Sequence, residues 1–500
     1  MKPTPLLLGL LALIVICFAA CDVETEFVTG EAVQLRFSTD TVAFDTVFAS
    51  RGSATQIMKV YNELDQPVMI DRIKVNGETG VSFIFNVDGV RGPVAEDVVI
   101  WANDSIFVFV EVEVDPTEPA QTSPFIAEDH LVFETGNARE EVLLLAYGQN
   151  ANYLNGFNRG QFALISCENG TVTFSQDLPT VIYGSLVIED CTVQALPGTK
   201  IYVHGGVQFN EGFPGSGFFN DGIILTEKTG SLQLLGEPGN PVIVRTDRLE
   251  AEFEDAPGKY RGLIFRAGSR NNMLQHTQLL NATTAVTVDS TASVTIDDSV
   301  IAYSAGPAVF GYQAEVTVRN SLFHSNFADG VQMIKGGRLI MEHTTIANYG
   351  VDASSLRIQN FRCDENGEIC FPAPTFLRVR NSILGGSRGQ ELILLDIFNG
   401  EQPGDFNVDI ANTVVRTNGD FLASQDSLFA DFYERICDGC YNLQSGDPLF
   451  QSISEDDYNL DSLSVARNLG AFLPDLPTDL LGVARDMTTP DAGALERVDL

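Results

Sequence analysis

Apolar and polar residues alternate along much of the chain, in short runs that clusters of turn residues interrupt. Such alternation places successive side chains on opposite faces of a β-strand. Between residues 33 and 148 the runs include 56–61, 106–114 and 140–147, with turns roughly every 8–15 residues. This spacing predicts an antiparallel sandwich of about seven strands.

A second pattern repeats about every 22 residues farther along the chain. A polar position that suits a turn recurs at His276, Asp298, Asn320, His343, Asn381 and Asn412. From Asp298 onward an alternating apolar pair precedes each one: Val294/Ile296, Val316/Val318, Leu339/Met341, Leu377/Val379 and Val408/Ile410. Two longer intervals contain loop insertions, one of which holds Cys363 and Cys370.

This short period limits the repeat folds that the chain can adopt. It is too short for tetratricopeptide or ankyrin repeats, and the Leu-x-x-Leu-x-Leu pattern of leucine-rich repeats is missing. Alternating apolar pairs require strands. Residues 161–450 are therefore predicted to form a right-handed parallel β-helix of roughly 10–12 coils, about 4.8 Å apart. The whole chain is expected to be all-β.

The aligned repeats also predict which side chains face the interior of the β-helix. One inward stack should contain Ile296, Val318, Met341, Val379 and Ile410. One residue later, an outward ladder of alternating charge should contain Asp297, Arg319, Glu342 and Arg380. The polar turn column is expected to stack and hydrogen-bond from coil to coil.

Segments of the first region resemble the HYDIN/ASH type of immunoglobulin-like domain. The matching pieces are residues 44–48, 60–62, 103–105, 115–116 and 145–148. The resemblance implies an immunoglobulin-like sandwich at 33–148 that acts as a spacer or a protein-binding module. Residues 149–160, which are rich in Asn and Gly, are expected to form a linker.

The repeat region resembles β-helix proteins of the pectate-lyase-like superfamily. The first coils carry this likeness at 184–188, 196–200, 230–232, 238–242 and 261–265. The C-terminal motifs at 446–450, 457–460, 485–486 and 490–496 resemble the end of choice-of-anchor Q proteins. In those proteins the motif closes the helix, which implies a capping tail at 451–500.

The N-terminus has the features of an export signal. Lys2 precedes an apolar run at 6–20, which is too short to span a bilayer and ends in small residues before Cys21. That ending resembles a bacterial lipobox, and it implies a signal peptide at 1–20 and lipidation of Cys21. A plain signal peptide followed by an incidental cysteine is the alternative.

The residues after Cys21 bear on its location. Asp22, Glu24 and Glu26 resemble the acidic stretch that directs Bacteroidetes-type lipoproteins to the cell surface. We therefore expect the lipid to anchor the chain in the outer membrane, facing the cell exterior.

Six further cysteines suggest disulfides, because their number is even and the chain is expected to be exported. Cys363 with Cys370 and Cys437 with Cys440 could each close a short loop, while Cys167 and Cys191 lie about one repeat apart. The Cys437-x-x-Cys440 motif has no second CxxC or nearby His pair, so no metal site is expected there. No DxDxDG loop supports Ca²⁺, which remains only a weak expectation for an acidic extracellular protein.

The net charge of the chain limits the classes of partner that it can bind. The chain has 67 acidic and 30 basic residues and a formal net charge of −37. This balance argues against binding nucleic acid or an anionic membrane surface, and it would repel acidic glycans such as pectate.

Catalytic motifs are missing from the repeat region. The pectate-lyase-like resemblance implies Ca²⁺ held by Asp residues with an Arg or Lys base, or a three-Asp motif, and neither set is present in order. Arg319, Arg380 and His324 are candidate catalytic side chains, but structural roles explain each of them. We assign no catalytic residue and expect a non-enzymatic binding or structural component of the envelope, with a glycan or surface protein as partner. A polysaccharide lyase or glycosidase and a pure spacer are the alternatives.

Overall fold

The structure is a computed structural model that describes residues 26–30, 33–48, 55–77, 82–113, 125–155, 162–209, 218–364, 366–402 and 404–498. The predicted signal peptide and Cys21 lie outside these residues. The chain divides into two compact units, Met1–Asn150 and Ala151–Leu500. Each unit has its own hydrophobic core.

The first unit is a β-sandwich of two five-stranded sheets, ordered β1-β3-β8-β5-β6 and β2-β10-β9-β4-β7. Its strands are β1 Arg36–Phe37, β2 Thr41–Phe48, β3 Gln56–Tyr61, β4 Val68–Val75, β5 Ser82–Val87, β6 Val90–Arg91, β7 Val94–Ile100, β8 Ser105–Glu113, β9 Phe125–Thr135 and β10 Ala138–Gln149. All pairings are antiparallel except that of β2 with β10. Alternate residues such as Met58 and Val60 of β3 are buried between the sheets. The fold is consistent with the expected immunoglobulin-like sandwich, with more strands than the turn spacing indicated.

The second unit is a parallel β-helix, as predicted. Its strands are β11 Asn152–Asn155, β12 Ala163–Ile165, β13 Gly170–Thr173, β14 Thr180–Tyr183, β15 Ser185–Ile188, β16 Cys191–Ala195, β17 Lys200–His204, β18 Val207–Phe209, β19 Phe218–Asn220, β20 Ile223–Thr226, β21 Ser231–Leu235, β22 Val242–Thr246, β23 Gly262–Phe265, β24 Asn272–Gln275, β25 Thr277–Leu280, β26 Val286–Val288, β27 Ser293–Asp297, β28 Val300–Ala302, β29 Val309–Arg319, β30 Leu322–His324, β31 Val331–Glu342, β32 Thr345–Asn348, β33 Leu356–Gln359, β34 Phe361–Cys363, β35 Cys370–Pro372, β36 Thr375–Arg380, β37 Ile383–Gly386, β38 Leu392–Leu395, β39 Phe406–Ala411, β40 Val414–Val415, β41 Cys437–Asp438, β42 Tyr441–Asn442, β43 Phe450–Ser452 and β44 Asp457–Leu460.

Strands of successive coils pair in parallel and build two long sheets. One is an 11-stranded sheet, β11-β14-β17-β22-β25-β28-β30-β32-β37-β40-β42, and the other is a 17-stranded sheet made of the remaining coil strands. β11 lies within the expected linker at 149–160, yet it pairs with β14 as the first strand of the 11-stranded sheet. The described linker residues from Ala151 to Asn155 therefore belong to the β-helix unit, whereas Gln149 ends β10 of the sandwich.

The predicted register of the coils is confirmed. Ile296 aligns with Val318, Val318 with Met341, Met341 with Val379 and Val379 with Ile410. All five side chains are fully buried. The 22-residue period and both loop insertions were therefore located correctly from the alternation of apolar residues.

The charged column needs a correction. Asp297 is only 4% exposed, and the Arg319 guanidinium covers it with an Nε–Oδ1 distance of 2.9 Å. The four residues align from coil to coil in the predicted order of alternating charge, but Arg380 forms its ion pair with Asp409 of the next coil, at 2.6 Å. Alternation indicates which face of the strand a side chain lies on, but not how deeply it is buried. The burial of Asp297 could therefore not be predicted from the sequence.

The polar turn column is confirmed as a conformational feature. His276, Asp298, Asn320, His343, Asn381 and Asn412 all have φ between 42° and 51°. Asn, Asp and His tolerate this left-handed conformation better than most other residues with a Cβ. The column links neighbouring coils, for example through Asn381 Nδ2 and His343 Nε2 at 2.9 Å.

A buried ladder of hydroxyl groups stands one residue later and was not anticipated. Its members are Thr277, Ser299, Ser321, Thr344, Ser382 and Thr413, and all are buried. The Ser299 hydroxyl donates to the carbonyl of Asp297 and accepts from the amide of Thr277. Each such hydroxyl accepts from or donates to backbone groups at the bend, so these backbone groups can be buried with partners.

Short helices, and not the C-terminal tail, supply apolar residues to the core after the last complete coil. The α-helices Gly419–Gln425 and Phe432–Arg435 flank the 3₁₀-helix Ser427–Phe429. They add Leu422, Phe429 and Phe432 to the β-helix core. Further 3₁₀-helices span Ala251–Phe253 and Ile453–Glu455.

The tail was expected to close the end of the helix, but its described residues, 451–498, lie along the outer face of the 11-stranded sheet. Its apolar residues Tyr458, Leu460, Ala492 and Leu495 pack in one cluster with coil residues such as Ile383. The tail also hydrogen-bonds to the polar column: Asn381 Nδ2 donates to the carbonyl of Ala471 at 2.6 Å. The resemblance implied that the tail closes the helix, but it did not indicate which path the tail takes along the coils.

Three disulfides are present in the β-helix unit. The bridge Cys363–Cys370 closes the β34–β35 hairpin, which is the predicted loop insertion. Cys437–Cys440 closes the turn between β41 and β42, the last strands of the two coil sheets. Cys167–Cys191 joins two neighbouring coils about one repeat apart.

Candidate functional site

A groove runs along one edge of the 11-stranded sheet, over the turns that follow β32, β37, β40 and β42. We call it the turn trough and define it by residues 350–352, 387–390, 416–420, 430–434 and 442–445. It consists of two adjoining clefts, of about 700 Å³ and 490 Å³, that share Gly389. These four strands are neighbours in the sheet, so the trough is about 14 Å long at the usual strand spacing.

The larger cleft lies between the last coils and the short helices. Asn418 begins the helix Gly419–Gln425, and its Oδ1 accepts from the Asp420 amide at 2.9 Å. Tyr433 lies on the second helix, where its hydroxyl donates to the carbonyl of Thr417 at 3.0 Å and burial raises its pKa. Phe432 and Leu443 are buried at the base. The cleft therefore has an apolar floor and a polar rim.

Charged groups of both signs line this cleft. Asp420, Asp431 and Glu434 are exposed, and Arg416 is half-buried with Nη1 donating to the carbonyl of Gly386 at 2.8 Å. Within the described chain, none of these four side chains has an ion-pair partner within 4.0 Å. They remain able to bind a polar ligand.

The smaller cleft is bounded by the turn at 387–390. Arg388 lies 3.5 Å from Asp352, and the Gly350 amide donates to the Ser387 hydroxyl at 2.8 Å. On the other side, Gln390 Oε1 accepts from the Thr417 hydroxyl at 2.8 Å. This turn thus connects the walls of both clefts.

Glu391 lies beneath the same turn and is completely buried. Its Oε1 accepts from the Arg388 amide at 2.8 Å, and its Oε2 accepts from the amide and hydroxyl of Ser355 at 2.8 and 2.9 Å. Burial raises the pKa of this carboxyl group to about 7, although these donors and Arg416 oppose the shift. Glu391 can therefore change its ionisation near neutral pH.

The earlier candidates for catalysis have structural partners elsewhere. Arg319 and Arg380 form the ion pairs described above. His324 is buried and lies 3.6 Å from Asp456, a tail residue. Asp456 also accepts from Tyr303 and Ser325, each at 2.8 Å, and these donors with His324 lower its pKa. The hydrogen bonds of the Asp456 carboxylate thus attach the tail to two coils.

Neither of the predicted disulfides, Cys363–Cys370 and Cys437–Cys440, lines the turn trough. The described residues contain no group of three or more His, Cys, Asp or Glu that could hold a metal ion. They also contain no helix long and apolar enough to cross a membrane.

Sequence reasoning missed the trough because its residues come from four separate turns and a short helical segment. The signals that could have indicated it are local. Gly385 and Gly386 end β37 and Gly389 lies in the turn after it, and Asn418-Gly419-Asp420 is a helix start within a region of strands.

A known family profile agrees with the fold of the second unit. The family profile described as "Right handed beta helix region" matches residues 262–389. No curated protein matches the chain. Similar solved structures include the catalytic unit of the GH87 α-1,3-glucanase from Streptomyces thermodiastaticus strain HF3-3, with 10% identity, coverage of 72% of this chain and 74% of that one, and a TM-score of 0.28.

Another is the complex of XylC with xylose, with 10% identity, coverage of 92% and 90% of the two chains, and a TM-score of 0.31. A third, the Agl-KA catalytic domain, has 9% identity, coverage of 77% and 84%, and a TM-score of 0.18.

Proposed function

We propose that the protein binds an extracellular glycan in the turn trough without cleaving it, as a lipid-anchored component of the outer membrane facing the cell exterior. The observation that carries this proposal is the trough itself, an elongated groove with an apolar floor, planar polar side chains and unpaired charges. Binding sites of this kind combine apolar surface with a few polar groups that fix the orientation of the ligand.

The lining of the larger cleft suits the chemistry of a sugar. Asn418, Gln444 and the carboxylates of Asp420 and Glu434 can hydrogen-bond in pairs to adjacent hydroxyl groups. Tyr433 offers an aromatic side chain to the apolar face of a sugar ring. The length of about 14 Å suits a short linear oligosaccharide lying along the coil axis.

The charge of the trough favours a particular class of glycan. Three carboxylates and one guanidinium line the larger cleft, and the whole chain carries a net charge of −37. An acidic polysaccharide would be repelled, whereas a neutral or amine-bearing one would not. We therefore propose a neutral or amine-bearing glycan as the ligand.

Glycan cleavage, by a glycosidase or lyase, is the second candidate function. It is favoured by the presence of Asp420, Asp431 and Glu434 in the same cleft as Arg416. Paired carboxylates are the usual acid and base groups of glycosidases. Binding without cleavage is the preferred proposal, because the repeat region has neither of the catalytic motif sets in order.

The proposal can be tested by calorimetry with the full-length protein in detergent. The probes are a neutral N-acetylglucosamine hexamer, its deacetylated form and an oligogalacturonate. We expect the first two to bind, Glu434→Gln to weaken binding by about tenfold, and the exposed tail variant Asp475→Asn to bind normally. Failure of all three probes to bind would contradict the proposal, and release of reducing ends would favour the enzyme.

A further inference from the structure

The turn at 386–391 is the wall that the two clefts of the turn trough share. Ser387, Arg388, Gly389 and Gln390 line the smaller cleft, and Gly389 also lines the larger one. Any residue that fixes the position of this turn therefore fixes the shape of the whole trough.

Glu391 holds this turn from below and connects three coils. Its carboxylate binds the Arg388 amide in its own turn and the Ser355 amide and hydroxyl in the preceding coil. Its own amide donates to the Arg416 carbonyl in the following coil at 2.7 Å. A Cβ at Gly386 would overlap Oε1, so a glycine at that position lets the carboxylate lie against the turn.

The hydroxyl of Ser355 gives this arrangement two states. It lies 2.9 Å from Glu391 Oε2 and 3.1 Å from the carbonyl of Gly385, but it has only one hydrogen to donate. When Glu391 is ionised, the hydroxyl donates to the carboxylate. When Glu391 is protonated on Oε2, the carboxyl group donates to the hydroxyl, which then donates to Gly385.

We propose that Glu391 is a positioning residue of the turn trough and that its ionised form holds the turn at 386–391 in the geometry that binds the glycan. This inference rests on the proposed function. Hydrogen bonds to a carboxylate are stronger than those to a neutral carboxyl group, so ionisation fixes the Arg388 and Ser355 amides more firmly.

The groups around Glu391 place the transition in an accessible pH range. Burial raises its pKa to about 7, and the charged or titratable side chains that face it are Arg416 and Tyr349, whereas Arg388 contributes its backbone amide. Burial raises the pKa of Tyr349 to about 12, so Tyr349 stays neutral. Glu391 is thus the group among these that titrates near pH 7.

The test measures binding of the neutral N-acetylglucosamine hexamer to the full-length protein between pH 5.5 and 8.5, since this probe does not titrate there. In the wild type, affinity should rise by about tenfold as Glu391 ionises. Glu391→Gln should bind with a low affinity that does not change with pH. Ser355→Ala removes a donor that lowers the pKa of Glu391, so the midpoint should move to higher pH.

Glu140→Gln is the matched control, since Glu140 is a sandwich carboxyl group whose pKa burial also raises. This variant should retain the wild-type profile. If Glu391→Gln fails to fold, the shifted midpoint of Ser355→Ala decides the question. If the hexamer binds and neither variant changes the pH profile, this inference is wrong and the proposed function stands. If neither the wild type nor any variant binds the hexamer at any pH, the proposed function is wrong. This inference is then wrong as well, because it rests on that function.

Discussion

Val318 and Arg319 are adjacent in β29, and their environments show how strictly alternation sorts side chains. Val318 is fully buried in the inward stack, whereas the Arg319 side chain is 32% exposed and covers Asp297. A one-residue shift would place the guanidinium in the apolar core. The register could be predicted from sequence because that shift costs several kcal/mol at every coil.

This difference predicts unequal effects of two neighbouring substitutions. Val318→Asp should lower the free energy of unfolding by more than about 4 kcal/mol, because it buries an unpaired charge. Arg319→Ala should cost about 1–3 kcal/mol, since it leaves buried Asp297 without its partner in a half-exposed pair. Urea denaturation measures both, with Thr317→Ala on the outer face as control. Equal losses from the two substitutions would refute the register.

A second prediction concerns His343 in the polar turn column. Its side chain is fully buried near Arg485, and burial lowers its pKa to about 3. The unfolded chain binds a proton near pH 6.5, so His343 contributes stability that is present above pH 6.5 and lost as pH falls toward 3.

His343→Gln should remove this dependence, which amounts to up to about 4 kcal/mol across the window. The measurement is the unfolding free energy of variant and wild type at several pH values between 3 and 7. A variant slope as steep as that of the wild type would show that His343 is not kept neutral by burial.

At the scale of elements, the coils could be predicted and the trough could not. A buried strand leaves a period of two in the sequence, and a stacked coil repeats it about every 22 residues. The trough arises where irregular turns of four coils meet the helix Phe432–Arg435, and no period relates Arg388 to Glu434. The path of the tail could not be predicted either, because its hydrogen bonds to the coils join residues 57 to 165 positions apart.

The tail's attachment to the polar column can be tested at Asn381. This residue has φ 48°, and its amide side chain exchanges two hydrogen bonds with the backbone of Ala471, at 2.6 and 2.9 Å. Asn381→Gly keeps the left-handed conformation and loses the bonds, so it should cost about 2 kcal/mol of unfolding free energy.

Asn381→Ala adds the strain of a Cβ in that conformation and should cost about 1–2 kcal/mol more. Both variants should also release the tail earlier in limited proteolysis. If alanine were tolerated better than glycine, the left-handed turn would not be the reason for the Asn at this position.

For the whole molecule, the acidic surface and the expected lipid anchor point to the same environment. A chain with a net charge of −37 gains nothing from anionic lipid headgroups, so membrane association would depend on acyl chains and not on surface charge. The same charge disfavours acidic glycans. Lipidation and glycan binding are therefore compatible proposals that depend on different parts of the chain.

The prediction at the scale of the whole molecule concerns the lipid anchor at Cys21. Cys21 lies outside the described residues, and the prediction rests on the small residues before it and the acidic residues after it. Cys21→Ser should abolish incorporation of labelled palmitate and move the protein from the membrane fraction to the soluble fraction. More than one acyl chain is needed for stable anchoring, so loss of the thiol should release nearly all of the protein. Ala19→Gly keeps a small residue before the cysteine and should remain lipidated.

Protease added to intact cells should degrade the anchored wild-type protein, and full protection would place it on the periplasmic face instead. Unchanged membrane association of Cys21→Ser would leave the plain signal peptide as the better interpretation.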